Sequence, residues 1–474
     1  MDEAGVRWTA EQVLALAPDD ASRKAGARLS AAGPWSGAGS SAEGAVWGLC
    51  KGSGKTPYRT VIDTNGPAYR CDCPSRKFPC KHALGLLLLW AGEGTSAVRT
   101  VADVADGAAP DWAEEWLAER RKRGAEREAK AGDAAGGAAG QADPEAARRR
   151  AERRAARITE GVLELERRLA DLLRGGLAGA EQSGYGTWEE TAARMVDAQA
   201  PGLAARVREL GAIPGSGAGW PVRLLEESAM VRLLGRGWLG LDRLPAPLAT
   251  TVRTRVGLPS SAEGPPVRDR WLVLAQYDTY DGKITTRRIW LYGRASGRTA
   301  LVMGFGAAGR SPQRALPVGR VIEAELTPHA GAGQLRADLG EAVVGAEPAA
   351  GAAKPDGGPP PGGTARAAVE AYGSALCDDP WLESWPVTLT DVIPVPVPGA
   401  PGDRGGAGGG WQLADAEGES ALPIAPAALT RPGLWRLVAV SGGDPVTVFG
   451  ECGHRGFTPL SVWSAHSPET VQLT

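Results

Sequence analysis

The chain has 474 residues, more than one ordinary core holds, so it should divide into roughly two to four domains. Its 53 Lys and Arg against 55 Asp and Glu give a formal net charge of −2, which excludes a whole-chain attraction to nucleic acid or an anionic membrane and makes every charge argument local. Its six cysteines, three of them within ten residues, fit metal ligation in a reducing cytosol better than a disulfide framework, and no secretory signal or bilayer-length apolar run is visible, so a cytoplasmic protein without membrane contact is expected.

Thr9 and Gln12 are spaced as a capping box ahead of Val13, Leu14 and Leu16, which predicts a short helix, with a second following Asp19 or Asp20. From Ala45 the runs AVWGLC and YRTVID, separated by KGSGKT and closed by Asn65 and Gly66, predict a hairpin or small sheet. HALGLLLLWA has no β-branched residue and predicts a short buried helix that completes an N-terminal domain over 1–111. Residues 112–155 are charged and rich in Ala and Gly, a linker flanked by helical ends. Ile158, Val162, Leu165, Leu169 and Leu172 then mark one face of an amphipathic helix, the first of a helical domain over 156–260 that includes TWEETAARMVDAQAPGLAARVREL and SAMVRLLGRGWL.

RWLVLAQYDT, TTRRIWLYGR, RTALVMGFGA and VIEAELTP predict an antiparallel β domain over 261–345. The Pro- and Gly-rich residues 346–365 read as a flexible linker. The last region, 366–474, opens on a helix at AAVEAYGSAL and continues through GWQLADAEG, GLWRLVAVSG and PVTVFGECG, all read as strands. The fold class is α+β and multidomain: an N-terminal hairpin-and-helix module, a central helical region and C-terminal antiparallel β regions.

The chemistry concentrates in CDCPSRKFPCKH, which offers Cys71, Cys73, Cys80 and His82 inside twelve residues. Three thiolates and an imidazole complete a tetrahedral Zn²⁺ shell with no place left for water, so one structural zinc ion is expected and no catalytic one. Asp72 and Pro74 supply the turn at which Cys71 and Cys73 are expected to converge on one ion. Arg70, Arg76, Lys77 and Lys81 offset the net negative charge of the metal shell.

This Cys-x-Cys and Cys-x-His order, preceded by a hairpin and followed by an apolar helix, resembles the SWIM-type zinc finger over about residues 45–92. The phrase TWEETAARMVDAQAPGLAARVREL is similar to the segment after the finger in actinobacterial members. The resemblance implies binding to DNA or to protein partners. Members of that kind are often encoded beside MoxR-type ATPases and von Willebrand A-domain proteins, which implies an adaptor role.

A protein partner is the first expectation. The alternative is DNA or RNA, contacted through Lys51, Lys55, Arg59, Arg70, Arg76, Lys77 and Lys81, with Tyr58, Tyr69 and Phe78 interleaved and only Asp63 and Asp72 opposing. The run from Arg148 to Arg157, with six Arg and one Glu, reads as a phosphate-binding arm or, more simply, as the solvated start of a helix. KGSGKT is not a phosphate loop, because Leu49 stands where the first glycine belongs. Cys452 and His454 read as a turn with a buried thiol, His329 and His466 as surface residues, and Cys50 as part of the finger core. With no catalytic grouping in the sequence, neither an enzyme nor a small-molecule substrate is expected.

Overall fold

The computed structural model describes residues 8, 10–17, 20–41, 44–52, 56–64, 68–75, 79–92, 99–100, 109–122, 144–177, 180, 184–280, 284–307, 312, 314–331, 333, 335–344, 358–397 and 410–474. Three sheets and a helical bundle succeed one another along the chain, and the architecture is mixed α and β.

The N-terminal region contains α1 (Ala10–Ala15), α2 (Asp20–Ala27), β1 (Trp35–Ser40), β2 (Ala45–Cys50), β3 (Tyr58–Asp63), β4 (Ala68–Cys71), α3 (Lys81–Ala91) and β5 (Arg99–Thr100). The strands lie in the order β4-β3-β2-β1-β5, antiparallel except for the short β1–β5 pairing. The sheet is therefore larger than the hairpin expected from AVWGLC and YRTVID. β1 carries no strand signal because WSGAGS is mostly small residues, and they are small for a reason: a Cβ at Gly39 would stand 2.7 Å from the Trp47 ring.

α3 is the hub of this region. Nine of its eleven residues are buried, between the sheet face carrying Val46, Ile62 and Tyr69 and the helices α1 and α2. A helix with apolar residues all round must be covered on all sides, which the Leu run satisfies. α2 approaches it closely at Gly26, where a Cβ would stand 2.7 Å from Leu84 Cβ. The other sheet face, with Ala45, Trp47 and Val61, lies under a helix over 111–122, α4, through Ala113, Trp112 and Trp116, and Arg120 Nε donates to Asp63 at 2.8 Å.

The helical region comprises α5 (Pro144–Gly175), α6 (Gly184–Asp197), α7 (Pro201–Ala212), α8 (Trp220–Leu239) and α9 (Ala246–Val256). Ile158, Val162, Leu165 and Leu169 of α5 are buried against Met195, Leu203, Leu234 and Trp238, as their periodicity predicts. Both described ends of the 112–155 segment are helical, α4 and the start of α5, and its centre lies outside the described residues. The Arg run is the exposed first part of α5, ahead of its first fully buried residue, Ile158.

β6 (Val267–Tyr280), β7 (Ile284–Gly293), β8 (Thr299–Ala307), β9 (Val321–Pro328) and β10 (Ala337–Val344) form an antiparallel sheet in the order β10-β9-β6-β7-β8. WLVLA in β6 reads as a continuous apolar run because both faces are covered. Trp271 and Val273 enter one core, while Leu272 and Leu274 meet Phe449, Leu460 and Trp463 of the C-terminal sheet in another.

The C-terminal region holds α10 (Ala365–Asp378), β11 (Ser384–Val397), β12 (Gly410–Asp415), β13 (Ala421–Pro423), α11 (Pro426–Leu429), α12 (Pro432–Ser441), β14 (Val446–Gly453), β15 (Gly456–Ser464) and β16 (Val471–Gln472), with sheet order β13-β12-β11-β14-β15-β16. Here GLWRLVAVSG, expected as a strand, is the helix α12. Pro432 starts it, Leu434, Leu437 and Ser441 fall on one buried side, and Gly442 ends it at φ +56°, so helix-start and helix-stop signals override the β-rich composition. The end of the expected Pro/Gly linker is likewise not free. Gly363 exchanges backbone hydrogen bonds with Thr388 and Thr390 of β11 at 3.0 Å each, and a Cβ at the preceding Gly362 would stand 2.9 Å from the Thr388 carbonyl oxygen, a close approach open to glycine.

Among the described residues no helix is long and apolar enough to cross a membrane.

Candidate metal centre

Cys71 is the last residue of β4, and the described residues between it and the start of α3 at Lys81 lie in no helix or strand. Thr60, its partner across the β3–β4 ladder, is fully buried and its hydroxyl donates to Cys71 Sγ at 3.3 Å. At the other end of the knuckle, Cys80 is the residue preceding α3 and His82 lies in its first turn, so a strand end and a helix N-terminus hold three of the four ligands and Cys73, two residues past β4, supplies the fourth. The His82 ring is 5% exposed and packs on Tyr58 with ring centroids 4.9 Å apart.

The four ligand atoms lie within 4.8 Å of one another, and Cys71 Sγ is 3.7 Å from His82 Nδ1. A tetrahedral zinc with ordinary bond lengths sets sulfur–nitrogen edges of about 3.6 Å and sulfur–sulfur edges of about 3.8 Å. The cluster thus has the size of a zinc shell, with Nδ1 as the imidazole ligand.

Thiol electrostatics point the same way. Without metal, hydrogen bonding with Cys73 pushes the Cys71 thiol up to about 11, sharing with Cys71 and Cys73 raises Cys80 as well, and the hydrogen bond from Cys71 holds Cys73 well below the thiol range. One thiolate is sustained by its neighbours' protons, and further ones are opposed by like charge. A dication removes that opposition, so the donor set is suited to a metal cation and ill suited to standing empty. Cys50, fully buried at the end of β2, has its thiol raised by burial and is not among the ligands.

Of the seven basic residues expected to contact nucleic acid, four are described. Lys55, Arg76 and Lys77 lie outside the described residues. Lys51, Arg59, Arg70 and Lys81 are exposed, but Arg59 pairs with Leu49 and Arg70 with Val61, which puts both on the sheet face that α4 covers. Cys71 and Thr60 point to the opposite face. Arg59 and Arg70 therefore do not share a face with the metal.

Two further histidine expectations meet the structure. His466 is exposed, whereas His329, expected at the surface, is 6% exposed. Its Nδ1 lies 3.0 Å from Ser260 Oγ and its Nε2 2.8 Å from Asp338 Oδ1, so it pins the segment after α9 to the β9–β10 hairpin. The Pro and Gly around it suggest a loop, and no sequence signal links it to partners from other elements. Cys452 is buried in β14 and His454 is exposed.

The geometry defines a zinc finger with a closed Cys₃His shell inserted between a sheet edge and a buried helix. A family model for the SWIM zinc finger matches residues 58–91, and one for the SWIM-associated four-helix bundle domain matches residues 153–256. The chain is a zinc-binding protein that carries a SWIM finger and its associated bundle, with one structural zinc ion at Cys71, Cys73, Cys80 and His82. No curated protein and no solved structure matches it.

Proposed function

We propose that the protein is a binding protein of the cytoplasm, not an enzyme, and that its finger engages a protein partner as an adaptor for a MoxR-type ATPase and a von Willebrand A-domain protein. The observation that carries the protein-partner reading is the burial of α3. A zinc finger that reads DNA with a helix must present that helix to the major groove, and here nine of eleven helical residues are already covered. What the finger can offer is the outer surface of a metal-stiffened knuckle, a rigid shape suited to docking. The adaptor assignment draws on the family resemblance alone. Its test is sedimentation of the zinc-loaded full chain with each purified candidate partner, and with the Cys80→Ser variant as control. A complex lost in the variant supports the reading, and absence of any complex with either partner overturns the adaptor role.

A second reading, contact with DNA or RNA, is favoured by the exposure of Lys51, Arg59, Arg70 and Lys81. Gel-shift titration over a range of salt decides it: phosphate binding must weaken steeply as salt rises, and charge reversal at Lys51 and Lys81 must flatten that slope.

A further inference from the structure

The core of the helical bundle takes in a side chain from outside it. Trp381 lies in the turn between α10 and β11, well beyond the end of α9, yet it is 5% exposed and belongs to the bundle's apolar cluster, not to that of its own region. Its indole Nε1 donates to the Met230 carbonyl oxygen of α8 at 3.0 Å, and its Cη2 would stand 3.6 Å from a Cβ at Gly237, which Val252 of α9 also borders. Two residues earlier, Asp379 (6% exposed) accepts from Arg255 of α9, through Nη2 at 2.6 Å and Nε at 3.2 Å. Leu382 faces the other way, packing against the C-terminal core, and its carbonyl accepts from the Tyr372 hydroxyl at 2.9 Å. The turn is thus rooted in the C-terminal region, while its carboxylate and its indole project into the bundle.

The shape of this turn is encoded locally. Asp at the first position and Pro at the second favour a type I turn. Leu382 N–H closes it on the Asp379 carbonyl oxygen at 3.1 Å, and Trp381 N–H donates to Asp379 Oδ1, also at 3.1 Å. A turn set by its own residues has little ordering entropy left to lose on docking. The receiving groups, Met230, Gly237, Val252 and Arg255, all fall within residues 153–256, which match the bundle domain, and the inserted ones fall outside it. The contacts are of three kinds: an ion pair, an N–H on a carbonyl and a ring in an apolar slot. Together they select a carboxylate two residues before an indole, and Trp and Arg in a desolvated contact are the side chains that dominate recognition. Close by, Arg455 of the β14–β15 turn reaches Glu227 of α8 at 3.6 Å, but that arginine is 73% exposed and such a pair contributes little.

We propose that the bundle carries a recognition site for an Asp-Pro-Trp turn, and that residues 379–381 occupy it in cis as a latch between the bundle and the C-terminal region. A protein segment presenting the same turn competes for the site in trans. The site lies apart from the zinc knuckle and does not depend on what the finger binds.

The test is fluorescence anisotropy with a labelled peptide DDPWLE, which copies residues 378–383, added to the zinc-loaded full chain. Asp379→Ala combined with Trp381→Ala empties the site, so this variant should bind the peptide saturably and at least about tenfold more tightly than the wild type, whose site is filled. Peptides with alanine in place of the tryptophan or of the second aspartate should bind at least about tenfold more weakly. Adding Arg255→Ala to the variant should abolish the discrimination between the parent peptide and the one lacking that aspartate. Helix content and zinc stoichiometry establish folding. Should the double variant lose helix content, Trp381→Phe, which keeps a ring in the slot and removes the indole donor, takes its place, with peptide binding tighter than to the wild type. Absence of saturable binding to either variant overturns the proposal, as does equal binding of the parent and alanine peptides, since a contact that only fills space has no such preference.

Discussion

The zinc knuckle and the paired sheets beyond Pro265 hold irregular and regular chain by different means. In the sheets, Leu272, Leu274 and Trp290 on one side meet Phe449, Leu460 and Trp463 on the other, the backbone is satisfied by ladders, and Tyr277 and Trp290 donate across to Glu451 at 2.8 and 3.0 Å, so apolar burial with a few hydrogen bonds fixes the arrangement. Among the described residues between Cys71 and Lys81 there is no ladder, and only Pro79 and Cys80 are buried. A segment that short and that exposed cannot offset the entropy of fixing its backbone by hydrophobic contact. The comparison teaches that the metal is placed where burial is insufficient, at the junction between a well-packed sheet and a well-packed helix.

The most severe way to probe this is Cys80→Ser, which removes a ligand at the start of α3. Structural zinc contributes on the order of 10–16 kcal/mol in isolated finger peptides, so the variant should lose its zinc and the order of the knuckle while the sheets beyond Pro265 keep their unfolding transition. Zinc stoichiometry after dialysis and differential scanning calorimetry check both halves, and retention of full zinc would refute the ligand assignment. The same centre gives a pH dependence. Cys71 is held up to about 11 without metal and Cys80 is also raised, so loading must expel protons, and zinc affinity should climb as pH rises through the neutral range. Affinity independent of pH would mean that the thiols are not the ligands.

The reciprocal experiment is Trp463→Ala. Trp463 is 1% exposed between the two sheets, and its truncation should cost about 3–5 kcal/mol of their stability and leave zinc content untouched. Zinc loss in this variant would mean that finger and sheets fold as one unit and that the contrast between them is false. Ala315, which leaves the β8–β9 connection to join the finger core, is where such coupling would run.

Legibility in the sequence divides along the same line. The metal ligands are legible because all four fall within twelve residues and need no knowledge of the fold. The α5 helix is legible because Ile158, Val162, Leu165 and Leu169 carry a clean period on one element. α12 reads wrongly as a strand because Val and Leu composition outweighs its Pro432 start and Gly442 stop, and β1 escapes notice because its small residues are dictated by the Trp47 ring across the ladder. His329 reads as a surface residue because Ser260 and Asp338, which hold it, come from other elements. The placement of Arg59 and Arg70 is hidden for a similar reason: the strand register that sends them away from Cys71 depends on pairings that sequence proximity does not reveal.

Smaller effects sharpen the comparison within the finger itself. Gly85→Ala inserts a methyl group 2.5 Å from Leu29 Cβ and 3.3 Å from the Gly26 carbonyl oxygen, so α2 and α3 must separate. Overpacking of this kind costs about 1–3 kcal/mol. The loss should appear in apo and zinc-loaded protein alike, because the contact is on the side of α3 turned to α2 and not at the ligands. A stability loss confined to the apo form would place the metal and not the helix packing in control of α3.

The subtlest prediction concerns Thr60, whose hydroxyl donates to Cys71 Sγ at 3.3 Å from a fully buried position. Thr60→Val keeps the shape and the β-branching that suits β3, and removes only the hydrogen bond to a ligand sulfur. Partners of this kind orient a ligand and spread its negative charge, and their loss costs roughly 10–100-fold in metal affinity. The variant should therefore fold and bind zinc at full stoichiometry but lose it to a competing chelator at a lower chelator concentration than the wild type. Because Thr60 belongs to the sheet and Cys71 to its edge, that shift measures how far a burial-built element tunes the metal that finishes it. An unchanged competition curve would mean that the sheet merely carries Cys71, and that the metal centre sets its own affinity.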